Sequence, residues 1–169
     1  MSDYLVNGDA PKHYLEQLIP IASLYNGYNL LVGYPDELWY HSNYGDGIQK
    51  ISSGVFGLSN HLLDTPWPKV KLGKEKFRQA ISNSEISAER LFEMLYDEQQ
   101  AQDEQLPDTG VGLVRERALS SMFIKTKGYG TRCSTVITVS HNNEVAFTER
   151  VYDLDTFAHQ INRFDFVIQ

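Results

Sequence analysis

The sequence predicts an α+β domain: a helix, a group of strands, two further helices, a loop, and a closing run of strands. Three observations predict it. Ten tyrosines and eight phenylalanines favour sheet, where flat rings pack well on a pleated surface. Apolar residues recur at helical spacing in three places, 14–19, 70–81 and 91–95. Runs rich in β-branched and aromatic residues, broken by glycine and asparagine turns, fill 28–58 and 122–168. A chain of 169 residues fits one domain over 1–169, and its 41% hydrophobic content can supply a core.

Taken in order, Asp9 is placed to cap the first helix, with Pro11 in a first turn where its missing N–H costs nothing. Tyr14, Leu15, Leu18 and Ile19 share a face, and Pro20 closes the element. Strands are expected at 28–32 and 38–41, joined by a turn at Pro35-Asp36. A third follows Gly45-Asp46-Gly47 at 48–51, and a fourth, after Gly54, at 55–58. Beyond Trp67, Val70, Leu72, Phe77 and Ile81 give an amphipathic helix. Its Lys69, Lys71, Lys74, Lys76 and Arg78 read as a solvated face rather than a phosphate patch, because the whole chain is acidic. Ser87 can cap a second helix through Tyr96, carrying Leu91, Phe92 and Leu95. Residues 97–112 are polar and acidic, a long loop of the kind that is often functional or mobile. Strands follow at 122–125, 133–139, 144–151 and 161–168. Gly128-Tyr129-Gly130 and His141-Asn142-Asn143 form the turns.

Composition excludes several classes. A net charge of −7 argues against a general nucleic-acid binder, which needs excess Lys and Arg on one face. A single cysteine, Cys133, allows no disulfide within the chain and no thiolate metal cluster, and makes a reducing, cytoplasmic setting the easier reading. No apolar run approaches a membrane span. Asp3, Asn7, Asp9 and Lys12 rule out a signal peptide in residues 1–15. The five histidines, at 13, 41, 61, 141 and 159, have no metal-ligand spacing and read as surface or half-buried residues. No nucleotide-binding or serine-hydrolase motif occurs, so neither metal nor cofactor is expected.

Two places can carry chemistry. In Leu58-Ser59-Asn60, an amide just past a strand end can donate hydrogen bonds to a developing oxyanion, with Ser59 beside the ligand. The structural alternative is an Asn that caps or turns the chain. In Tyr129-Gly130-Thr131-Arg132-Cys133, a glycine turn feeds Arg132 into a strand. An inward Arg there needs an anionic ligand, with Tyr129 and Thr131 lining it, or a structural partner such as Glu149. Cys133 itself reads as an inert thiol rather than a nucleophile.

Five segments, in order, carry a resemblance: Leu24-Tyr-Asn-Gly-Tyr-Asn-Leu-Leu-Val32, Phe56-Gly-Leu-Ser-Asn-His-Leu-Leu-Asp-Thr-Pro-Trp-Pro-Lys69, Gln105-Leu-Pro-Asp-Thr-Gly110, Gly128-Tyr-Gly-Thr-Arg-Cys-Ser-Thr-Val136 and Phe147-Thr-Glu-Arg150. Through them the chain resembles the NRDE family, which includes the transport and Golgi organization protein 2 of animals. The resemblance implies part of an αββα stacked-sheet sandwich, similar to N-terminal-nucleophile hydrolases and incomplete at the N-terminus. Family members begin Met-Cys and carry Asn-Arg-Asp-Glu soon after, and neither occurs here. The expectation is the C-terminal part of such a domain. The intact fold would hydrolyse a C–N amide bond in a small substrate, while this chain, lacking the N-terminal Cys, would be inactive. By distant similarity to bile-salt hydrolases and penicillin V acylases, Asn60 would help form the oxyanion hole and Arg132 would line the site. The alternative is a non-enzymatic binding or trafficking protein, acting in Golgi organisation, secretion or haem handling. The partner is then an unidentified small molecule, with a possible homo-oligomer formed through an exposed sheet edge.

Overall fold

Short helices and a small antiparallel sheet begin the chain in the computed structural model, which describes residues 2–82 and 86–168. The chain gathers into two contact units: Met1–Gly54 with Leu58–Leu63, and Val55–Gly57 with Asp64–Gln169.

In the first unit, α1 (Ser2–Asn7) and α2 (Pro11–Leu18) precede a 3₁₀ segment, Ile19–Leu24. Strands β1 (Asn29–Tyr34), β2 (Glu37–Ser42) and β3 (Ile48–Ile51) form one antiparallel sheet in that order. Leu30 and Val32 alternate inward along β1 and meet Leu15 of α2, the centre of this core. Tyr14, Leu18, Tyr28, Trp39 and Ile48 close around them. Asp9 does not cap α2. The N-cap position is Ala10, without a side-chain hydrogen bond, while Pro11 opens the helix as expected. Pro20 does not end the winding either: it sits in the first turn of the 3₁₀ segment, where no amide donor is required.

The second unit contains α3 (Pro68–Ile81), α4 (Ala88–Leu95), a 3₁₀ turn at Asp103–Gln105 and α5 (Leu113–Leu119). A small hairpin, β4 (Lys125–Thr126) with β5 (Tyr129–Gly130), leads to the sheet of β6 (Cys133–Val139), β7 (Glu144–Tyr152) and β8 (His159–Val167). Its order is β6-β7-β8, antiparallel throughout. Leu91 and Phe92 of α4 pack on Val136, with Phe77, Ala80, Ile81 and Leu95 around them. Antiparallel sheets with separate helices make this an α+β structure.

Three expectations fail for local reasons. Residues 55–58 form no strand, because Gly57 spends both backbone groups on Asp64 instead of a ladder. Residues 122–124 form none either. The Phe123 amide donates to the Asp97 carbonyl, its carbonyl takes the Ser121 hydroxyl, and pairing starts only at Lys125. Helix α5 was not expected at all. Its buried residue is Glu116, while Leu113 and Val114 are exposed, so the apolar period that betrays a helix is missing.

Arg150 of β7 is a cation that this unit buries. Its guanidinium lies 4.3 Å from the Phe92 ring centroid, and its Nη2 donates to both oxygens of Glu89 at 2.6 Å. Its Nε has no partner among the described residues. Glu89 is mostly exposed, so water can replace it more easily than anything can replace the stacked arginine. Arg150→Ala should therefore cost about 3 kcal/mol, since packing and the stack are lost together. Glu89→Ala should cost about 1–2 kcal/mol, and Arg150→Met should recover most of the alanine loss. Urea denaturation of the three variants checks the ranking.

Candidate functional site

The stretch containing Asn60 is a loop with a defined neck. The Gly57 amide donates to Asp64 Oδ1 (2.8 Å), and the Asp64 amide donates back to the Gly57 carbonyl (2.8 Å). Lys74 of α3 reaches the same carboxylate oxygen at 2.7 Å. Asp64 takes a left-handed backbone (φ 59°), which an Asp tolerates better than most residues. Burial opposes the charge on Asp64, but the Lys74 ammonium and the Gly57 N–H outweigh it and hold the carboxyl below the usual carboxylate range. The neck leads into α3: the Trp67 carbonyl accepts from Val70 (2.9 Å) and Lys71 (3.0 Å), with Pro68 at the first helical position.

The tip of that loop, Leu58–Leu63, belongs to the first unit, where two side chains fix its backbone. Asn29 Nδ2 donates to the His61 carbonyl (3.1 Å), and the Leu63 amide donates to the Tyr40 hydroxyl (3.1 Å). The Tyr40 hydroxyl in turn donates to Asn29 Oδ1 (2.6 Å), so one short chain of polar groups holds both points. The Asn60 side chain is exposed and has no hydrogen-bond partner among the described residues. It lines a cleft of about 320 Å³ with Tyr28, Asn29, Ser42, Tyr44 and His61. Gly27 also borders that cleft, and a Cβ on it would lie 1.9 Å from the exposed Tyr44 ring, so a larger residue there would have to displace that ring. Ser59 is half-buried. His41 is buried, against expectation. Its Nδ1 donates to the Gly47 carbonyl (3.0 Å) and its ring meets Tyr28 edge-on, while its Nε2 is buried without a partner among the described residues.

The second set of candidates lies in the other unit. Thr131 is committed to structure: its amide donates to the Ile124 carbonyl (2.8 Å) and its Oγ1 accepts from the Ile124 amide (2.9 Å). Tyr129 is exposed, and its carbonyl takes the Thr126 hydroxyl. Arg132 pins the sheet through its carbonyl, which accepts from Tyr152 N (2.8 Å), while its side chain is exposed. Glu149 receives Thr135 rather than Arg132. Cys133 is exposed on β6. Asn60 and Ser59 thus stand in the first unit, and Tyr129, Thr131 and Arg132 in the second.

Sequence reasoning missed a further cleft. About 430 Å³ lies between α3 and the segment 99–105, lined by Lys69, Lys71, Leu72, Gln99, Gln102 and Ser120. Lys69 donates to the Leu119 carbonyl (2.9 Å). Burial pushes its ammonium below its ordinary range, although buried Glu116 pulls the other way. The lysine row of α3 is therefore not a plain solvated face: Lys69, Lys74 and Lys76 are each engaged, the last with Asp97. No helical spacing in the sequence could have shown this, because each partner lies outside α3. Nor is the 97–112 loop slack. Ala101 N donates to Ser120 Oγ (2.9 Å) and Thr109 N to Glu116 Oε1 (2.8 Å). Among the described residues there is no cluster of three or more metal-ligating side chains, and no helix long and apolar enough to cross a membrane.

Comparison with known proteins agrees with the segments quoted above. A family model described as Transport and Golgi organisation 2 matches residues 1–154. The Transport and Golgi organization 2 homolog of Mus musculus is 31% identical over 184 aligned residues, covering 100% of this chain and 67% of its own length. The Homo sapiens homolog is 32% identical over 171 residues, covering 92% of this chain and 62% of its own length. For the Bos taurus homolog the values are 34% over 151, with 81% and 55% covered. The chain spans 55% to 67% of the length of these relatives.

The Asp64 neck yields a test. A carboxylate held below its usual range stabilises the fold fully above the ordinary carboxylate pKa, and loses that contribution as pH falls through its lowered value. Asp64→Ala should cost about 2 kcal/mol at neutral pH, by losing a charge-assisted contact and orphaning the Gly57 amide. Asp64→Asn keeps the acceptor and the tolerated φ, and should cost about half as much. Denaturation at neutral pH and again well into the acid range should show the wild type converging on the Asn variant.

Proposed function

The chain belongs to the Transport and Golgi organisation 2 family, and from that premise we propose that it supplies the ligand-holding part of an amide-hydrolase-like fold. In this reading the family fold is akin to that of N-terminal-nucleophile hydrolases. The intact family domain cleaves a C–N amide bond in a small substrate. Asn60 directs its Nδ2 hydrogens at the oxygen of that bond, with Ser59 beside it. Within the second unit, Arg132 offers a cation to an anionic ligand, with Tyr129 next to it, and Thr131 shapes the turn that delivers them. The observation that carries the proposal is the Asn60 loop. An exposed amide with no internal partner stands on a backbone pinned at His61 and Leu63. Preorganised donors of this kind stabilise developing negative charge without reorganising during reaction.

The chain's own thiol does not fit the nucleophile's role. Cys133 stands on an exposed strand position opposite Val151, with no base bonded to it among the described residues. This part of the protein is accordingly read as binding rather than reacting, in the cytoplasm, without metal or cofactor. The second reading, a transport or Golgi-organisation role without catalysis, draws on the relatives' names, and it too needs a bound partner.

Titration of the ¹⁵N-labelled chain with simple N-acyl amides should move the amide resonances of residues 58–63, and Asn60→Ala should remove the response. Shifts that ignore Asn60→Ala would defeat the Asn60 assignment. The same amides should show no hydrolysis that depends on Cys133. Turnover abolished by Cys133→Ala would assign the chemistry to this chain after all.

A further inference from the structure

Every residue of β8 is exposed, an uncommon condition for a strand of nine residues whose sequence includes Ile161, Phe164, Phe166 and Val167. The strand is the edge of its sheet, hydrogen-bonded only to β7. Its register on β7 is regular from Glu144↔Val167 to Tyr152↔His159, without a bulge that would twist the edge away. The Ile168 amide continues this register by donating to the Asn143 carbonyl (2.9 Å). By antiparallel alternation, the backbone groups of Ile161, Arg163, Asp165 and Val167 then point to the open side.

We propose that β8 pairs with β8 of a second copy of this chain, antiparallel, about a two-fold axis through Phe164. The sequence of the strand is self-complementary about that residue. Arg163 faces Asp165 of the second copy, and Asp165 faces Arg163. Ile161 faces Val167, and Asn162 faces Phe166. The two pairs on the open-side register can exchange their backbone bonds, while Phe164 meets its own counterpart at a narrow, non-bonded position where side chains come closest. Any neighbouring register costs this match: a shift by two residues sets Arg163 against Arg163 or Asp165 against Asp165.

Two further features fit a second copy. Within one chain Arg163 and Asp165 already pair, Nε to Oδ2 at 2.9 Å, so both side chains lie on one face and are oriented to join a four-charge cluster across the axis. On the opposite face Ile137, Phe147 and Phe164 form a row across β6, β7 and β8, with the Phe147 and Phe164 rings 6.1 Å apart at 60°. Pairing through Phe164 prolongs that row without interruption into the partner and shields half-exposed rings on both sides. An isologous contact of this type closes on itself, so it gives a dimer rather than a fibre.

The experiment is a charge reversal read by sedimentation equilibrium on the full chain. The wild type is expected to dimerise. Arg163→Asp alone, and Asp165→Arg alone, should each weaken the dimer by about tenfold or more, because two-fold symmetry places every like-charge pair twice. The double variant Arg163→Asp/Asp165→Arg restores every cross-strand pair and should restore the dimer. Circular dichroism on each variant shows that it remains folded. A wild type that stays monomeric at its highest soluble concentration overturns the proposal. So does a dimer indifferent to the single reversals, or association that continues beyond the dimer. None of these outcomes bears on the Asn60 loop, whose test is ligand titration.

Discussion

The reciprocal pair between Gly57 and Asp64 is the constraint from which the most informative part of this chain follows. Two backbone groups of Gly57 are satisfied by one residue seven positions later, once through its amide and once through its carboxylate. That closes a loop while leaving its tip free to make other contacts. It also explains why position 57 is a glycine although its φ is not unusual. A Cβ there would lie 2.8 Å from Val70 Cγ1, so the bare backbone lets the first turn of α3 come close. Lys74, one turn further along α3, neutralises the carboxylate that this arrangement half-buries. One short segment thus fixes a corner, starts a helix and delimits the loop that carries Asn60.

Long periodic elements were legible in the sequence, and so was the α+β class. The strand 133–139 was readable because it is a β-branched run that follows a glycine turn. Its partner was readable because a His-Asn-Asn turn separates the two. Helix α3 showed itself through Val70, Phe77 and Ile81. What escaped was structure made by side chains answering backbone. Residues 55–58 have the composition of a strand, yet Asp64 takes the hydrogen bonds that a strand would need. Helix α5 hides because it buries a glutamate. Asp9, an apt cap by residue type, lost its place to the chain geometry that puts Ala10 at the start of α2. Propensity is overridden in each case by a specific hydrogen bond or by its absence.

The candidate site shows the same division. Asn60 was legible as an amide at the end of an apolar run. The residues that give it a fixed setting were not, since Asn29 and Tyr40 lie 32 and 23 positions from the backbone atoms that they hold. Family resemblance drew attention to the segments 24–32 and 56–69, and the structure shows that they meet where Asn29 holds the His61 carbonyl.

The two arginines separate structural from available charge. Sequence reasoning looked for an inward arginine at 132, where a glycine turn feeds a strand. The fold instead buries Arg150, which lies mid-strand opposite Ser134 and beneath α4. A guanidinium at that depth is tolerable only because Phe92 lies against its face and Glu89 answers its Nη2. Those contacts, and its burial, keep it from an outside ligand. Arg132 is one residue before β6 begins, its side chain is exposed, and its carbonyl holds the sheet by accepting from the Tyr152 amide. Its guanidinium has no hydrogen-bond partner among the described residues. A residue whose backbone is fixed by the ladder and whose side chain is unspent meets the physical requirements for recognising an anion: low reorganisation, full charge and planar, paired donors. The same two conditions, fixed backbone and unspent polar end, are those met by Asn60, and they are what distinguishes both residues from the better-buried polar groups around them.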